Sequence, residues 1–222
     1  MVIENFYDNP DEVRANALQS DLIDYFGDGK NYWLTSKHKY LTEENTSKIE
    51  QLIKRVGSDI DEEFYKHNRW NGAFQVKYNI NGEMGFDYFP GCLHTHIQNV
   101  EDVGNVGSNG WTGIVYLTPD DIAYPDGGTS VWETTTGDKP SFRYTNDVCN
   151  DWIPSSLDVG HSNVKGLRLK GMNNSWNLVT KIQFKYNTLV LMRAEEYHCG
   201  NGSWGNKIDN ARIIQTFFIK VK

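Results

Sequence analysis

His94, Thr95 and His96 form a His-X-His pair, and a third histidine, His198, stands far downstream, 14 residues before Arg212. In a strand, successive side chains alternate between faces, so His94 and His96 present both imidazoles on one side. Two imidazoles on one face and a third from a distant strand make a metal-ligand set. Arg212 opens the run Ile213-Ile214-Gln215-Thr216-Phe217-Phe218. An arginine in such a run is expected to be buried, and buried arginine is rare without an anionic partner. A carboxylate fits that role, because the planar guanidinium forks onto both of its oxygens. The 14 residues leave room for one loop, with Gly200, Gly202 and Gly205 as turn residues, and a return strand. Each residue also has an ordinary structural reading: His198 as a hydrogen-bonded strand end, Arg212 as the partner of Glu195 or Glu196.

These groups need strands to carry them, and the pattern supplies strands from about residue 72 onward. Ala73 to Tyr78 alternates, and Asn81-Gly82 is a hairpin signal. Further runs cover Trp111 to Thr118, Thr129 to Trp132, Leu178 to Tyr186, Thr188 to Met192 and Ile213 to Val221. Helices come first. Asn9-Pro10-Asp11-Glu12-Val13 has an Asn cap, Pro at the first position and acids in the first turn, predicting a helix to about Leu22. Ile49, Leu52, Ile53, Val56, Ile60 and Phe64 recur at helical spacing, predicting a second helix over roughly 43 to 66, weakened but not ended by Gly57. The expectation is one α+β, mainly β domain over 1–222: a helical part, 1–70, packed on a sandwich or barrel, 71–222. Two irregular segments, 99–110 and 134–163, are expected as loop insertions at the barrel mouth, covering the substrate.

Bulk properties narrow the class. The 222 residues suit a single domain, and 12 Tyr, 10 Phe and 7 Trp argue for a folded, strand-rich chain. A net charge of −7 argues against duplex DNA as a partner, short of a local basic groove. Cys92, Cys149 and Cys199 are too few and scattered for a disulfide framework, which fits a reducing compartment. Neither a signal peptide nor a run of about 18 apolar residues stands out, so a cytoplasmic protein without a membrane span is expected.

The opening Val2-Ile3-Glu4-Asn5-Phe6-Tyr7-Asp8-Asn9-Pro10-Asp11-Glu12-Val13-Arg14 resembles that of a family of 2-oxoglutarate/Fe(II) oxygenases of bacteria and phages. In the same order follow Asn71-Gly72-Ala73-Phe74-Gln75, His94-Thr95-His96, Trp111 to Pro119, Gly127-Gly128-Thr129-Ser130, and Leu189 to Arg193 leading to His198 and Arg212. The resemblance spans most of the chain, and the ordered set is more specific than any single motif. It implies a double-stranded β-helix, a jelly-roll or cupin-like core, with Fe(II) at its mouth, in a bacterial or phage-infected cell. By motif position, His94 and His198 match the two histidines of H-X-D…H, and Arg212 matches the residue that grips the far carboxylate of 2-oxoglutarate. The implied reaction uses molecular oxygen and 2-oxoglutarate to hydroxylate a primary substrate that the residues do not specify. Thr118 and Gln215 are candidates to support the cosubstrate, by proximity in sequence.

The chain departs from the family at the carboxylate, where His96 stands for Asp. A three-histidine site is the favoured repair; Glu101 or Asp102 from the following loop, or Gln98 on the same strand face, are the others. Two further functions use the same residues. Three histidines also make a zinc site for a hydrolase or lyase, and an aromatic-rich jelly roll also serves as a non-catalytic binding protein.

Overall fold

The structure, a computed structural model, describes residues 1–25, 32–79, 82–87, 94–97, 106–135 and 176–222. Its strands are β1 (Val2–Glu4), β2 (Leu22–Asp24), β3 (Trp33–Ser36), β4 (Ala73–Lys77), β5 (Phe86–Asp87), β6 (Trp111–Tyr116), β7 (Thr129–Thr134) and β8 (Trp176–Ile182). Then come β9 (Thr188–Arg193), β10 (Tyr197–Gly200), β11 (Ser203–Trp204) and β12 (Arg212–Ile219); the helices are α1 (Pro10–Gln19), α2 (Glu43–Arg55) and α3 (Glu62–His67). Seven strands form one antiparallel sheet in the order β1-β9-β6-β12-β4-β3-β2. A three-stranded sheet, β10-β7-β8, and the pair β11-β5 make up the other layer. The fold is α+β and mainly β, as the alternating runs predict.

Strand β12 explains why the large sheet has two different faces. All eight of its residues are buried, so it is covered on both sides. Ile213, Phe217 and Ile219 join a core with Phe6, Val13, Ala17, Ile49 and Ile53, which packs the helices on the outer face. Ile214, on the other face, joins Tyr116, Val131, Phe184, Val190, Met192 and Trp204, a second core between the two layers. Period-two alternation therefore sends Arg212, Ile214, Thr216 and Phe218 inward, and Gln215 outward.

The helices start as expected. The Asn9 side chain accepts from Glu12 N at 3.4 Å ahead of Pro10. Thr42 and Asn45 form a reciprocal capping box on α2. The predicted long second helix is corrected: α2 ends at Arg55, and Gly57 ends it. With φ 77°, Gly57 donates to Lys54 O at 3.0 Å, while Ser58 N reaches Ile53 O at 3.2 Å, a left-handed terminus that satisfies the last carbonyls. Helix α1 likewise stops at Gln19, short of Leu22, which lies in β2. The segment 1–70 is also more than helical, since β1, β2 and β3 extend the large sheet. The Asn81-Gly82 hairpin is not formed by β4, which pairs with β3 and β12, while β5 pairs with β11; Asn81 itself lies outside the described residues. Most of 99–110 and 134–163 lies outside them too. No helix among the described residues is long and apolar enough to cross a membrane.

Gln215 is a fold residue. Its amide donates to Tyr40 O at 3.0 Å and Gly72 O at 3.1 Å, and its carbonyl oxygen accepts from the Tyr7 hydroxyl. Asn45 donates to the same hydroxyl at 3.2 Å, and burial pushes the Tyr7 phenol up, so it stays a donor. Gln215→Leu should lower stability by about 2–3 kcal/mol, because it strands buried donors and acceptors, and leave metal binding unchanged. Urea unfolding and a metal titration on the same variant read both effects; weakened metal binding would return Gln215 to the site.

Candidate metal centre

The short strand β10 carries His198 opposite Val131 of β7. On the other side of β10, His94 forms an isolated antiparallel bridge with His198. His94 N donates to His198 O at 3.1 Å, and His198 N to His94 O at 3.0 Å. Directly opposed residues in an antiparallel pair share a face, so both imidazoles project to the same side. His96 follows two residues on and is held by its own ladder bonds: His96 N to Ala194 O at 2.7 Å and Val106 N to His96 O at 2.9 Å. The backbone thus delivers all three rings to one point, as the alternation argument requires.

The rings lie 4.8 Å (His94–His96), 4.5 Å (His94–His198) and 5.1 Å (His96–His198) apart between centroids. One ring nitrogen from each lies within 4.8 Å of the others. Nitrogens about 2.1 Å from one ion stand at most roughly 4.2 Å apart, so sub-ångström ring rotations close the set on a metal. His198 Nδ1 lies 2.9 Å from Glu196 O. A carbonyl only accepts, so Nδ1 carries the proton and Nε2 is left as the ligand atom. His96 packs its ring on Phe218 at 5.0 Å, and Phe218 clusters with Val106 and Ala194, an apolar surround that excludes water from one side. His96 and His198 are buried, His94 half-buried. The donor set therefore fits a divalent transition metal. Gln98, Glu101 and Asp102, the other candidates for the third ligand, lie outside the described residues.

Arg212 is 1% exposed. Its Nε donates to Gly127 O at 3.0 Å and its Nη2 approaches Gly128 O at 3.5 Å, while its guanidinium carbon lies 5.6 Å from the Phe184 ring centre. Nη1 is buried with no hydrogen-bond partner among the described residues. No carboxylate among the described residues pairs with it, so Glu195 and Glu196 are not its partners. Burial brings the guanidinium down to about 10, so it remains charged at neutral pH. It lies beneath Gly200, where a β-carbon would stand 3.4 Å from Nη2. Gly200 and His198 are two apart on β10 and share a face, so the cation and the histidines are about 6.6 Å of strand apart on one wall.

Thr118 does not join this group. Its hydroxyl donates to Ala211 O at 2.8 Å and accepts from Ile213 N at 2.8 Å, a staple across the residues flanking Arg212. It positions the start of β12. Gln215 points to the opposite face, as described above. Sequence reasoning missed the groups that hold Arg212 from the other layer. Gly127 and Gly128 turn their carbonyls onto it, and both must be glycine. A β-carbon at Gly127 would stand 2.3 Å from the Trp204 ring, and one at Gly128 1.9 Å from Ile182 O. Tyr116 donates to Thr129 Oγ1 at 2.7 Å in the core between the sheets, its phenol pushed up to about 12 chiefly by burial. The Gly-Gly-Thr run was the only trace of these in the sequence.

Compared with solved structures, the chain is similar to HygX from Streptomyces hygroscopicus with nickel and 2-oxoglutarate bound. The likeness has a TM-score of 0.53 at 12% identity, covering 99% of this chain and 82% of HygX. It is similar also to SnoN, a non-heme alpha ketoglutarate dependent epimerase from nogalamycin biosynthesis, with a TM-score of 0.52 at 10% identity, covering 99% of this chain and 77% of SnoN. This is a likeness of fold. It supports a mainly β, cupin-like architecture and nothing finer. No family model matches the chain, and no curated protein matches it by sequence.

Proposed function

We propose that the chain is a 2-oxoglutarate- and Fe(II)-dependent dioxygenase, of hydroxylase type, with His94, His96 and His198 as the iron ligands and Arg212 as the cosubstrate anchor. The observation that carries this reading is Arg212: a fully buried guanidinium with a nitrogen unpartnered among the described residues, on the same wall as three convergent histidines. A buried charge without a counter-ion is costly, and a ligand carboxylate removes that cost. The fold likeness to HygX, seen with nickel and 2-oxoglutarate, supports the same pairing of metal and 2-oxo acid. Bound there, iron would supply oxygen activation coupled to decarboxylation of 2-oxoglutarate to succinate.

The chain's own residues set the conditions for that chemistry. The Glu196 carbonyl holds the His198 tautomer. The Gly127 and Gly128 carbonyls take Nε and Nη2 of the guanidinium and so fix its plane. Tyr116, Phe184, Val131 and Ile214 pack as an apolar core between the sheets, and low-dielectric surroundings of that kind strengthen an Arg–carboxylate bond. Anaerobic titration of the Fe(II) protein with 2-oxoglutarate, following the visible charge-transfer band, tests the proposal. Tight metal binding with no response to 2-oxoglutarate would favour the zinc hydrolase or lyase, and no metal binding at all the non-catalytic jelly roll. Product analysis with candidate substrates separates hydroxylation from an outcome such as the epimerisation named for SnoN.

Three neutral imidazoles leave the metal's full double charge uncompensated, whereas a carboxylate ligand would halve it. His96→Asp should therefore raise metal affinity by about tenfold, ~1.4 kcal/mol, when measured by anaerobic competition with a chelator. Unchanged affinity in this variant would remove His96 from the ligand set.

A further inference from the structure

We infer that Gln75 is a second donor to the 2-oxo acid. Its side-chain amide is held with its –NH2 turned onto the floor between Arg212 and the histidines, where it receives the carboxylate at the metal end. This rests on the 2-oxoglutarate reading above and extends it to a residue outside the histidine and arginine set.

The sheet register places Gln75 on that floor. Gly200, two residues from His198, stands over the Arg212 guanidinium. His96, whose ring lies 5.1 Å from that of His198, packs on Phe218 at 5.0 Å. The imidazoles therefore stand over the stretch of β12 between Arg212 and Phe218, where Ile214 and Thr216 face inward. Gln75 of β4 is the direct partner of Ile214, and Thr35 of β3 the direct partner of Gln75, so all three share the inner face.

The amide has its direction set. Trp33 Nε1 donates to Gln75 Oε1 at 3.2 Å. An indole nitrogen only donates, so the amide oxygen is turned to Trp33, on the β3 side, and the –NH2 away from it, toward β12. Trp33 is held in turn by stacking on Tyr25, 4.6 Å between ring centres. Gln75 is 7% exposed, and its amide nitrogen makes no hydrogen bond among the described residues. The hydroxyls beside it are already spent: Thr35 donates to Phe74 O at 3.3 Å and Thr216 to Trp70 O at 3.1 Å. A buried –NH2 without an acceptor is destabilising, and an anionic oxygen is the acceptor that it binds most strongly. Arg212 takes the distal carboxylate in the reading above, so the carboxylate at the metal end is the one left for Gln75.

The test is isothermal titration of 2-oxoglutarate into the full chain loaded with Ni(II), which binds without turnover, for Gln75→Leu and Gln75→Glu. Glutamate matches glutamine in size and still accepts from Trp33, but it has no N–H to give and sets a negative charge beside an anion. Gln75→Leu should weaken 2-oxoglutarate about tenfold and Gln75→Glu should weaken it more, with nickel binding retained in both. A residue that only props Trp33 gives the reverse order. Gln75→Glu then binds 2-oxoglutarate within twofold of the parent, and Gln75 is not part of the ligand site. Arg212→Lys separates that failure from failure of the proposed function, because it should lose 2-oxoglutarate whether or not Gln75 takes part. If the nickel-loaded parent shows no 2-oxoglutarate binding, both fall together.

Discussion

His198→Ala should cost the protein about a hundredfold or more in metal affinity, ~2.7 kcal/mol, and leave the fold intact. The argument for the size of the effect is geometric. His198 is buried, lies within 4.5 and 5.1 Å of the other two rings between centroids, and its tautomer is fixed by a backbone carbonyl. Removing it leaves two ligands and takes away the nitrogen whose tautomer is pre-set. The argument for an intact fold is that the His94–His198 bridge is made by backbone atoms, which alanine keeps. Circular dichroism melts should therefore superpose, while anaerobic titration with Fe(II) or Ni(II) shows the loss. His94→Ala should behave the same way, with a smaller loss where solvent can replace the half-buried ring. Parent-like metal binding in both variants would mean that the three imidazoles do not form a metal site.

What could be read from the sequence depended on how local its cause was. The α1 cap was legible because Asn9 and Pro10 act within one turn. The strands β4, β6, β9 and β12 were legible because each has five to eight residues of β-branched and aromatic character. The strands β1 and β2 were not, since three residues carry no measurable alternation and their pairing is decided by the rest of the sheet. Gly57 was misread because its effect is set by left-handed backbone, not by average helix propensity.

The site divides along the same line. His94 and His96 lie two apart in one extended segment, so the spacing alone pointed to a shared face, and the bridge to His198 completed what the motif order implied. Gln215 and Thr118 were misplaced because closeness in sequence says nothing about which face a residue takes: Gln215 is three positions from Arg212, an odd number, and so must point away. The Gly127–Gly128 carbonyls left only a glycine run in the sequence, because they reach Arg212 from a turn about 85 residues away.

Arg212→Lys should weaken 2-oxoglutarate by roughly ten- to a hundredfold, ~1.4–2.7 kcal/mol, while metal affinity stays within twofold of the parent. Lysine keeps the charge but loses the fork. In the present geometry the guanidinium spends Nε and Nη2 on the Gly127 and Gly128 carbonyls and leaves Nη1 without a partner among the described residues. An ammonium cannot hold both carbonyls and still present a donor in the same plane. Arg212→Ala should go further, because it also leaves those carbonyls without their donor and opens a void against Phe184. A stability measurement keeps the two losses apart. The parent should gain in melting temperature on adding metal and 2-oxoglutarate together, since a ligand that binds only the folded state stabilises it. Arg212→Lys should retain the gain from metal alone and lose most of the gain from 2-oxoglutarate. Should Arg212→Lys and Arg212→Ala both respond to 2-oxoglutarate as the parent does, the buried guanidinium serves the Gly127–Gly128 turn alone, and the dioxygenase reading loses its support outside the histidines.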